Sequence, residues 1–216
     1  MHWPHKENGQ KKLRINKKKF IYLISPTRIE KTFYKNLIDV LKFKKVSFFQ
    51  LRLKNLSFKK KLIIGKKIKK ICIKYNVKFI INDDVMLSKK LDADGCHLGQ
   101  NDMTITKARN ILKKKILGIT CHNSIKLAKV AIKKKANYLA FGAFYTSKTK
   151  KTKFKADLNL IKKIKKITKT PIVAIGGINS DNYKNLLLNK ANFLAISGYI
   201  WNNKKLKPTE AIKKLK

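Results

Sequence analysis

Acidic residues are scarce in this 216-residue chain, yet five of its eleven lie within residues 83–102. The chain carries 54 Lys and Arg residues and a formal net charge of +43. Carboxylate oxygens are hard ligands of the kind that Mg²⁺ prefers, and Mg²⁺ in proteins commonly also contacts phosphate groups. The stretch therefore predicts a magnesium site that receives a phosphorylated molecule, with Asp83 and Asp102 as the candidate ligands.

Asp83 and Asp102 each follow a predicted strand, nineteen residues apart. One βαβ step places two such loops side by side, so both carboxylates can reach one cation. Helix capping is the alternative, because acids often accept hydrogen bonds from the first amides of a helix. Capping suits Asp84, but it leaves the neighbouring amide side chains of Asn82 and Gln100 unexplained. We therefore predict that Asp84 caps a helix, whereas Asp83 and Asp102 bind the metal.

Candidate phosphate-binding loops follow the last two predicted strands, at Gly176-Gly177 and at Ser197-Gly198. Glycine leaves backbone N–H groups accessible, and the N-terminus of a following helix adds a dipole that favours an anion. Loops after strands seven and eight are frequent phosphate sites in eight-stranded barrels. The alternative is that these glycines only permit tight turns.

Polar and apolar residues alternate in Gln50-Leu51-Arg52-Leu53-Lys54, directly after another predicted strand. Alternation places the side chains of Gln50, Arg52 and Lys54 on one side of the extended chain. Arg52 is one of only four arginines, and a guanidinium suits a two-pronged contact with phosphate. Further along, segment 147–150 offers two hydroxyls and flexible amines, although in so lysine-rich a chain it is also typical of a solvated loop.

All these residues follow short apolar runs rich in β-branched residues, which alternate with longer amphipathic segments. The predicted strands are 20–24, 46–51, 78–81, 95–98, 116–119, 138–141, 172–175 and 193–196. The predicted helices include 31–43, 58–75, 86–91, 104–112, 125–134, 158–167 and 181–188, with helix starts at Asn123-Ser124 and Ser180-Asp181.

Eight strand–helix repeats with short connections predict parallel βαβ units, in either a closed barrel or an open doubly wound sheet. The number eight favours a single-domain α/β fold, the (β/α)8 or TIM barrel, over residues 20–216, preceded by a polar, lysine-rich extension at 1–19. In such a barrel the polar residues that follow the strands meet at the C-terminal mouth, where active sites lie.

The composition narrows the class of protein. An apolar fraction of 44% is ordinary for a globular domain, and no apolar run approaches the roughly 18 residues that span a bilayer. We expect a cytoplasmic protein with no membrane partner. The lysine excess is spread along the chain, with few arginines and no interleaved aromatics, so it favours a solvated surface over a specific nucleic-acid partner. The pairs Cys96-His97 and Cys121-His122 lack the spacing of zinc sites.

Taken together, five segments resemble thiamine-phosphate synthases, in the order in which that family has them. The segments are Phe49-Gln50-Leu51-Arg52-Leu53-Lys54, Ile81-Asn82-Asp83-Asp84, Asp94-Gly95-Cys96-His97-Leu98-Gly99-Gln100-Asn101-Asp102, Gly118-Ile119-Thr120-Cys121-His122 and Ile175-Gly176-Gly177-Ile178-Asn179. The resemblance covers about residues 20–200. It implies a Mg²⁺-dependent transferase with a (β/α)8 barrel. Such an enzyme joins hydroxymethylpyrimidine diphosphate to a thiazole phosphate, giving thiamine phosphate and pyrophosphate.

The resemblance also implies a role for individual residues. It makes Asp83 and Asp102 the Mg²⁺ ligands, and Thr120 stands where the family commonly has serine. Contacts to the pyrimidine diphosphate fall on Gln50, Arg52, Lys54, Asn82 and Lys150, and contacts to the thiazole phosphate on Ser147, Thr149, Gly177, Ile196 and Ser197. Arg52, Lys54, Thr120 and Lys150 would act on the departing pyrophosphate.

Two rival functions remain open at this level. A thiazole tautomerase-like isomerase shares the fold, but it handles thiazole phosphate alone and needs no diphosphate-and-metal site. A basic nucleic-acid-binding protein is supported by composition only. The synthase reaction demands no general base, so His97 and His122 are predicted to be structural. The sequence leaves oligomeric state open, with a homo-oligomer as one option.

Overall fold

The computed structural model describes residues 19–146 and 153–216, whose eight parallel strands close into a barrel in chain order. The predicted (β/α)8 barrel is therefore confirmed, and the open doubly wound sheet is excluded. The strands are β1 Ile21–Ile24, β2 Val46–Leu51, β3 Lys78–Asn82, β4 Gly95–Leu98, β5 Ile116–His122, β6 Tyr138–Phe141, β7 Ile172–Ile175 and β8 Phe193–Ile196. Pairing of β1 with β8 completes the ring.

Helices surround the barrel in the described ranges. They are α1 Phe33–Leu41, α2 Phe58–Lys74, α3 Val85–Lys90, α4 Ile105–Leu112, α5 Ile125–Lys133, α6 Leu158–Ile167, α7 Tyr183–Leu188, α8 Gly198–Trp201 and α9 Pro208–Lys214. Five begin at a side chain that accepts a backbone amide, namely Ser57, Asp84, Thr104, Ser124 and Asp157. In the part of the chain described, no helix is long and apolar enough to cross a membrane.

Two apolar cores lie on opposite sides of the sheet, because successive side chains of a strand point to opposite faces. The outer core fills the space between strands and helices and includes Leu23, Phe49 and Cys96. The smaller inner core fills the barrel and consists of Tyr22, Ile24, Phe48, Ile80, Tyr138, Ala140, Val173, Phe193 and Ala195. Odd or even position along a strand thus decides whether a side chain can face the barrel interior.

The predicted strand bounds hold at five of the eight strands. β5 is longer than expected because its pairing with β6 continues through an irregularity between Thr120 and His122. The expected helix start at Ser180-Asp181 is wrong, since Asn179 Oδ1 accepts the amides of Asp181 and Asn182 in a turn that precedes α7. The two helices after β8 were not predicted.

One inner-core contact depends on the absence of a side chain. Gly118 on β5 lies beside Tyr138 on β6. A Cβ on Gly118 would come within 1.8 Å of Tyr138 Cζ. The glycine therefore leaves the space that the tyrosine ring occupies inside the barrel.

We predict that Gly118→Ala lowers the free energy of unfolding by about 1–3 kcal/mol, because a packed interior yields poorly to an added methyl group. Gly65→Ala is the matched control. The three atoms nearest to its new methyl all belong to the Leu91 side chain, and alanine suits the helix around it better than glycine does. Urea unfolding of both variants measures the difference. Equal stability of Gly118→Ala and the unaltered protein would show that the ring position is not constrained.

Candidate active site

Three side chains at the end of β2 lie at increasing distance from the barrel interior. They are Gln50, Arg52 and Lys54. Gln50 is 2% exposed, Arg52 is partly buried and Lys54 is exposed. Gln50 thus lies at the floor of the mouth and the two cations lie above it. This arrangement agrees with the expected alternation.

Asp83 and Asp102 are brought together at the ends of β3 and β4. Asp83 has a left-handed backbone (φ 63°), and its amide donates to the carbonyl of His97 at 2.8 Å, which ties the turn after β3 to β4. Asp102 Oδ2 accepts the amide of Gly99 at 2.7 Å. Burial raises the pKa of Asp102, and the neighbouring Asp83 carboxyl raises it further. Two carboxylates this close repel one another and favour a cation between them.

Lys54 is the cation nearest to this acid pair. Its Nζ lies 3.4 Å from Asp83 Oδ2, while its side chain remains 55% exposed. An exposed ion pair of this kind is weak, so Lys54 is free to exchange its partner for a ligand phosphate. The ends of β2, β3 and β4 therefore place the Lys54 cation beside the two carboxylates of Asp83 and Asp102.

The other three acids of residues 83–102 have separate structural partners. Asp84 Oδ1 accepts the amide of Leu87 at 2.9 Å, which confirms the predicted cap of α3. Asp92 pairs with Lys69 and Lys115, and Asp94 pairs with Lys78 and also accepts the amide of Phe79. Helix α4 begins at Thr104 rather than at Asp102, so capping does not account for Asp102.

The donor set at the mouth suits a hard cation. Within the described residues, no group of three or more His, Cys, Asp or Glu side chains could hold a metal ion by itself. A pair of carboxylates nevertheless fits Mg²⁺, which keeps several waters and is usually bound by one or two carboxylates together with substrate phosphates. Softer ligands are absent from this pair, so the residues fit magnesium better than zinc.

Below the mouth, hydrogen bonds link five side chains from different strands. Gln50 Nε2 donates to Tyr22 Oη at 3.1 Å, and Tyr22 Oη lies 2.7 Å from Tyr138 Oη. His97 Nδ1 lies 3.0 Å from Tyr138 Oη, and His97 Nε2 lies 2.9 Å from Thr120 Oγ1. Burial lowers the pKa of His97 to about 4, so its ring is neutral near pH 7. Sequence reasoning missed Tyr22 and Tyr138 and gave His97 no link to the site.

The Gly176-Gly177 turn has a structural reason for both glycines. Their φ angles are 107° and 62°, and a Cβ on Gly177 would approach the carbonyl oxygen of Thr146 to 2.3 Å. The amide of Tyr145 donates to the carbonyl of Gly176 at 3.1 Å. The turn is thereby joined to the loop after β6, so conformation and close packing both require glycine there.

Ser25, which sequence reasoning also missed, joins the two sides of the mouth. Its hydroxyl accepts the amide of Arg52 at 2.9 Å, and its carbonyl accepts the hydroxyl of Ser197 at 3.2 Å. The Ile196 side chain is buried in the outer core, so only its backbone can face a ligand. The position of Ser25 directly after β1 was the signal that could have identified it.

The remaining sequence hypotheses concern the histidine–cysteine pairs and one loop. Cys96 and Cys121 are buried in the outer core, and burial raises the pKa of Cys121 to about 12, which disfavours a zinc thiolate. His122 stacks on Phe154 with ring centroids 4.1 Å apart. The predicted phosphate contacts Ser147, Thr149 and Lys150 lie outside the described residues.

Comparison with known proteins identifies the family of this chain. Residues 21–200 match the sequence profile of thiamine monophosphate synthase. A thiamine-phosphate synthase of Pelagibacter ubique is 68% identical over 95% of this chain and 100% of its own length. The synthase of Erythrobacter litoralis is 38% identical over 84% of this chain and 88% of its own length.

A solved structure supports the same assignment at the level of the backbone. Thiamine phosphate pyrophosphorylase from Pyrococcus furiosus superimposes with a TM-score of 0.81 at 29% identity, covering 92% of this chain and 94% of that one. Sequence and fold thus agree over nearly the whole barrel. This chain belongs to the thiamine-phosphate synthase family.

Proposed function

We propose that this protein joins hydroxymethylpyrimidine diphosphate to thiazole phosphate, releasing pyrophosphate and forming thiamine phosphate, with Mg²⁺ as its cofactor. The observation that carries the proposal is the Asp83–Asp102 pair beside Lys54 at the mouth of the barrel. A site for a diphosphate and a divalent cation needs carboxylates and cations side by side. The tautomerase-like isomerase has no use for that set, because its substrate carries no diphosphate.

The reaction exchanges one bond for another at the pyrimidine methylene carbon. Its bond to the diphosphate oxygen breaks with the electron pair leaving on pyrophosphate, and the thiazole ring nitrogen donates a pair to the carbon. Charge therefore develops on the leaving group, and no proton has to be removed by a base. Preorganised cations aimed at that charge are the main means of stabilising such a transition state.

Arg52 and Lys54 are the cations of the described residues that suit this role. The Arg52 amide is held by Ser25, which fixes the backbone from which its guanidinium reaches the diphosphate. Lys54, already beside Asp83, supplies a second positive charge, and the proposal adds Lys150 as a third. Gln50 and Asn82 would contact the pyrimidine diphosphate from the floor of the mouth, and Thr120 would donate a hydrogen bond to it.

Asp83 and Asp102 would hold the magnesium ion, with water and diphosphate oxygens as the other ligands. When bound there, Mg²⁺ supplies positive charge to the diphosphate. Two hydrogen bonds fix the two carboxylates before the ligand binds. The Asp83 amide donates to the His97 carbonyl, and the Gly99 amide donates to Asp102. Backbone groups of Gly177 and of Ile196-Ser197, together with the Ser147 and Thr149 hydroxyls, would receive the thiazole phosphate.

The deciding experiment supplies both precursors to the purified protein, with and without Mg²⁺, and measures thiamine phosphate by chromatography. We expect product only with the metal, and recovery of turnover when Mg²⁺ is returned after chelation. Absence of product under every condition would exclude the synthase activity. Undiminished turnover in excess chelator would exclude the metal.

We predict that Asp83→Asn lowers kcat/KM for the pyrimidine diphosphate by about 100-fold or more, because one ligand charge of the metal site is lost. Asp92→Asn is the matched control, since Asp92 is an exposed acid that pairs with Lys69 and Lys115 in the described part of the chain. The Mg²⁺ concentration required for half-maximal rate should rise for the first variant and stay unchanged for the second. Normal turnover by Asp83→Asn would contradict the metal assignment.

We predict that Lys54→Met lowers kcat and raises KM for the diphosphate substrate, by about 100-fold in kcat/KM, through loss of charge at the leaving group. Lys61→Met is its control, because Lys61 also lies near an acid, 4.0 Å from Asp84 Oδ2, and that acid caps α3. Steady-state rates of both variants with each substrate varied provide the test. Equal effects from the two lysines would reduce the role of Lys54 to general surface charge.

A further inference from the structure

A single hydrogen-bonded chain crosses the barrel interior from one candidate substrate-binding residue to another. It runs from Gln50 through Tyr22, Tyr138 and His97 to Thr120. These side chains come from β2, β1, β6, β4 and β5 respectively. Only the two ends have a part in the proposed function, so the three middle side chains need an explanation of their own.

Burial restricts the direction in which the protons of this chain can point. Gln50, Tyr22 and Tyr138 are at most 2% exposed. A buried donor without an acceptor is costly, so each hydroxyl proton must be used inside the chain. A tyrosine hydroxyl has one proton and a neutral imidazole has one N–H. The direction of the first bond therefore decides the direction of every other.

The first bond is donated by Gln50 Nε2 to Tyr22 Oη. Tyr22 then donates to Tyr138, and Tyr138 donates to Nδ1 of His97. The ring consequently carries its proton on Nε2 and donates it to Thr120 Oγ1. If His97 carried its proton on Nδ1 instead, Tyr138 would donate to Tyr22. The Tyr22 proton would then have no acceptor among these five side chains.

This direction determines what Thr120 can offer a ligand. Its oxygen already accepts from His97, so its own proton remains available to be donated. Thr120 and His97 are partly buried, whereas Gln50, Tyr22 and Tyr138 behind them are buried. A hydroxyl that presents its proton suits an anionic oxygen, and a hydroxyl that presented its lone pairs would repel one.

We propose that Tyr22, Tyr138 and His97 form a positioning relay that keeps the Thr120 hydroxyl as a donor toward the diphosphate. The stated ligand rests on the proposed function; the direction of the relay does not. The Tyr138 and His97 rings are stacked, 10° from parallel, and Gly118 leaves the space that Tyr138 needs. Orientation of the hydroxyl is thus completed by folding, before substrate binds.

The tautomer of His97 tests the relay without any substrate. The protein contains four histidines, so ¹⁵N-histidine labelling of the full protein gives a simple spectrum. The signal that disappears in His97→Gln is that of His97. Long-range ¹H–¹⁵N correlation near pH 7 should show the proton on Nε2 and an unprotonated Nδ1. A proton on Nδ1 would overturn the proposal, even if thiamine phosphate synthesis is confirmed.

Matched variants connect the relay to turnover. Tyr138→Phe should leave His97 in a mixture of tautomers and lower kcat/KM for the pyrimidine diphosphate by about tenfold. Tyr183→Phe is the control, because the equally buried Tyr183 donates to the Lys216 carbonyl outside the relay; it should keep both the tautomer and the rate. Thr120→Val should lower kcat/KM more than Thr120→Ser does, because serine keeps a hydroxyl that can donate.

The outcomes separate the relay from the proposed function. An unchanged His97 tautomer in folded Tyr138→Phe would refute the relay, as would full activity in Thr120→Val. If Tyr138→Phe does not fold, the tautomer in the unaltered protein still decides the direction. Absence of synthase activity with an Nε2–H tautomer would reject the ligand but leave the relay standing.

Discussion

The closure of eight short parallel strands into one ring is the constraint on which the site depends. Once the sheet is closed, every second side chain of a strand faces an enclosed interior, and the others face the helices. Gln50 and His97 are directed into the barrel, whereas the adjacent Cys96 and the Ile196 side chain are buried outside it. The side chains that can reach the site therefore come from every second position of a strand or from the loops at the mouth.

Charge is distributed in a manner that suits this arrangement. Two carboxylates stand together in a protein of net charge +43, and the pKa of Asp102 is raised by burial and by its neighbour. Their repulsion favours a divalent cation, while the surrounding lysines favour approach of a polyanionic substrate. Neither carboxylate is needed as a helix cap, because Asp84 and Thr104 serve α3 and α4.

The local pattern of residues predicted much of the fold. Short β-branched runs and amphipathic segments indicated eight βαβ units, and the structure confirms them because strand and helix periodicity act over a few residues. The proximity of Asp83 and Asp102 also followed from order alone, since consecutive parallel strands end side by side. Helix starts were predicted less accurately than strands. Ser124 and Asp84 cap as predicted, but the turn at Asn179 shifts the start of α7.

By itself, the sequence determined the number of strands, the edge at which the polar residues meet and the family to which the chain belongs. The tertiary structure alone decided how those residues are held. Tyr22 and Tyr138 are 116 positions apart, and Ser25 contacts Ser197 across 172, so no local periodicity can pair them. Such contacts arise only when the first strand meets the last and the barrel brings distant side chains within hydrogen-bonding distance.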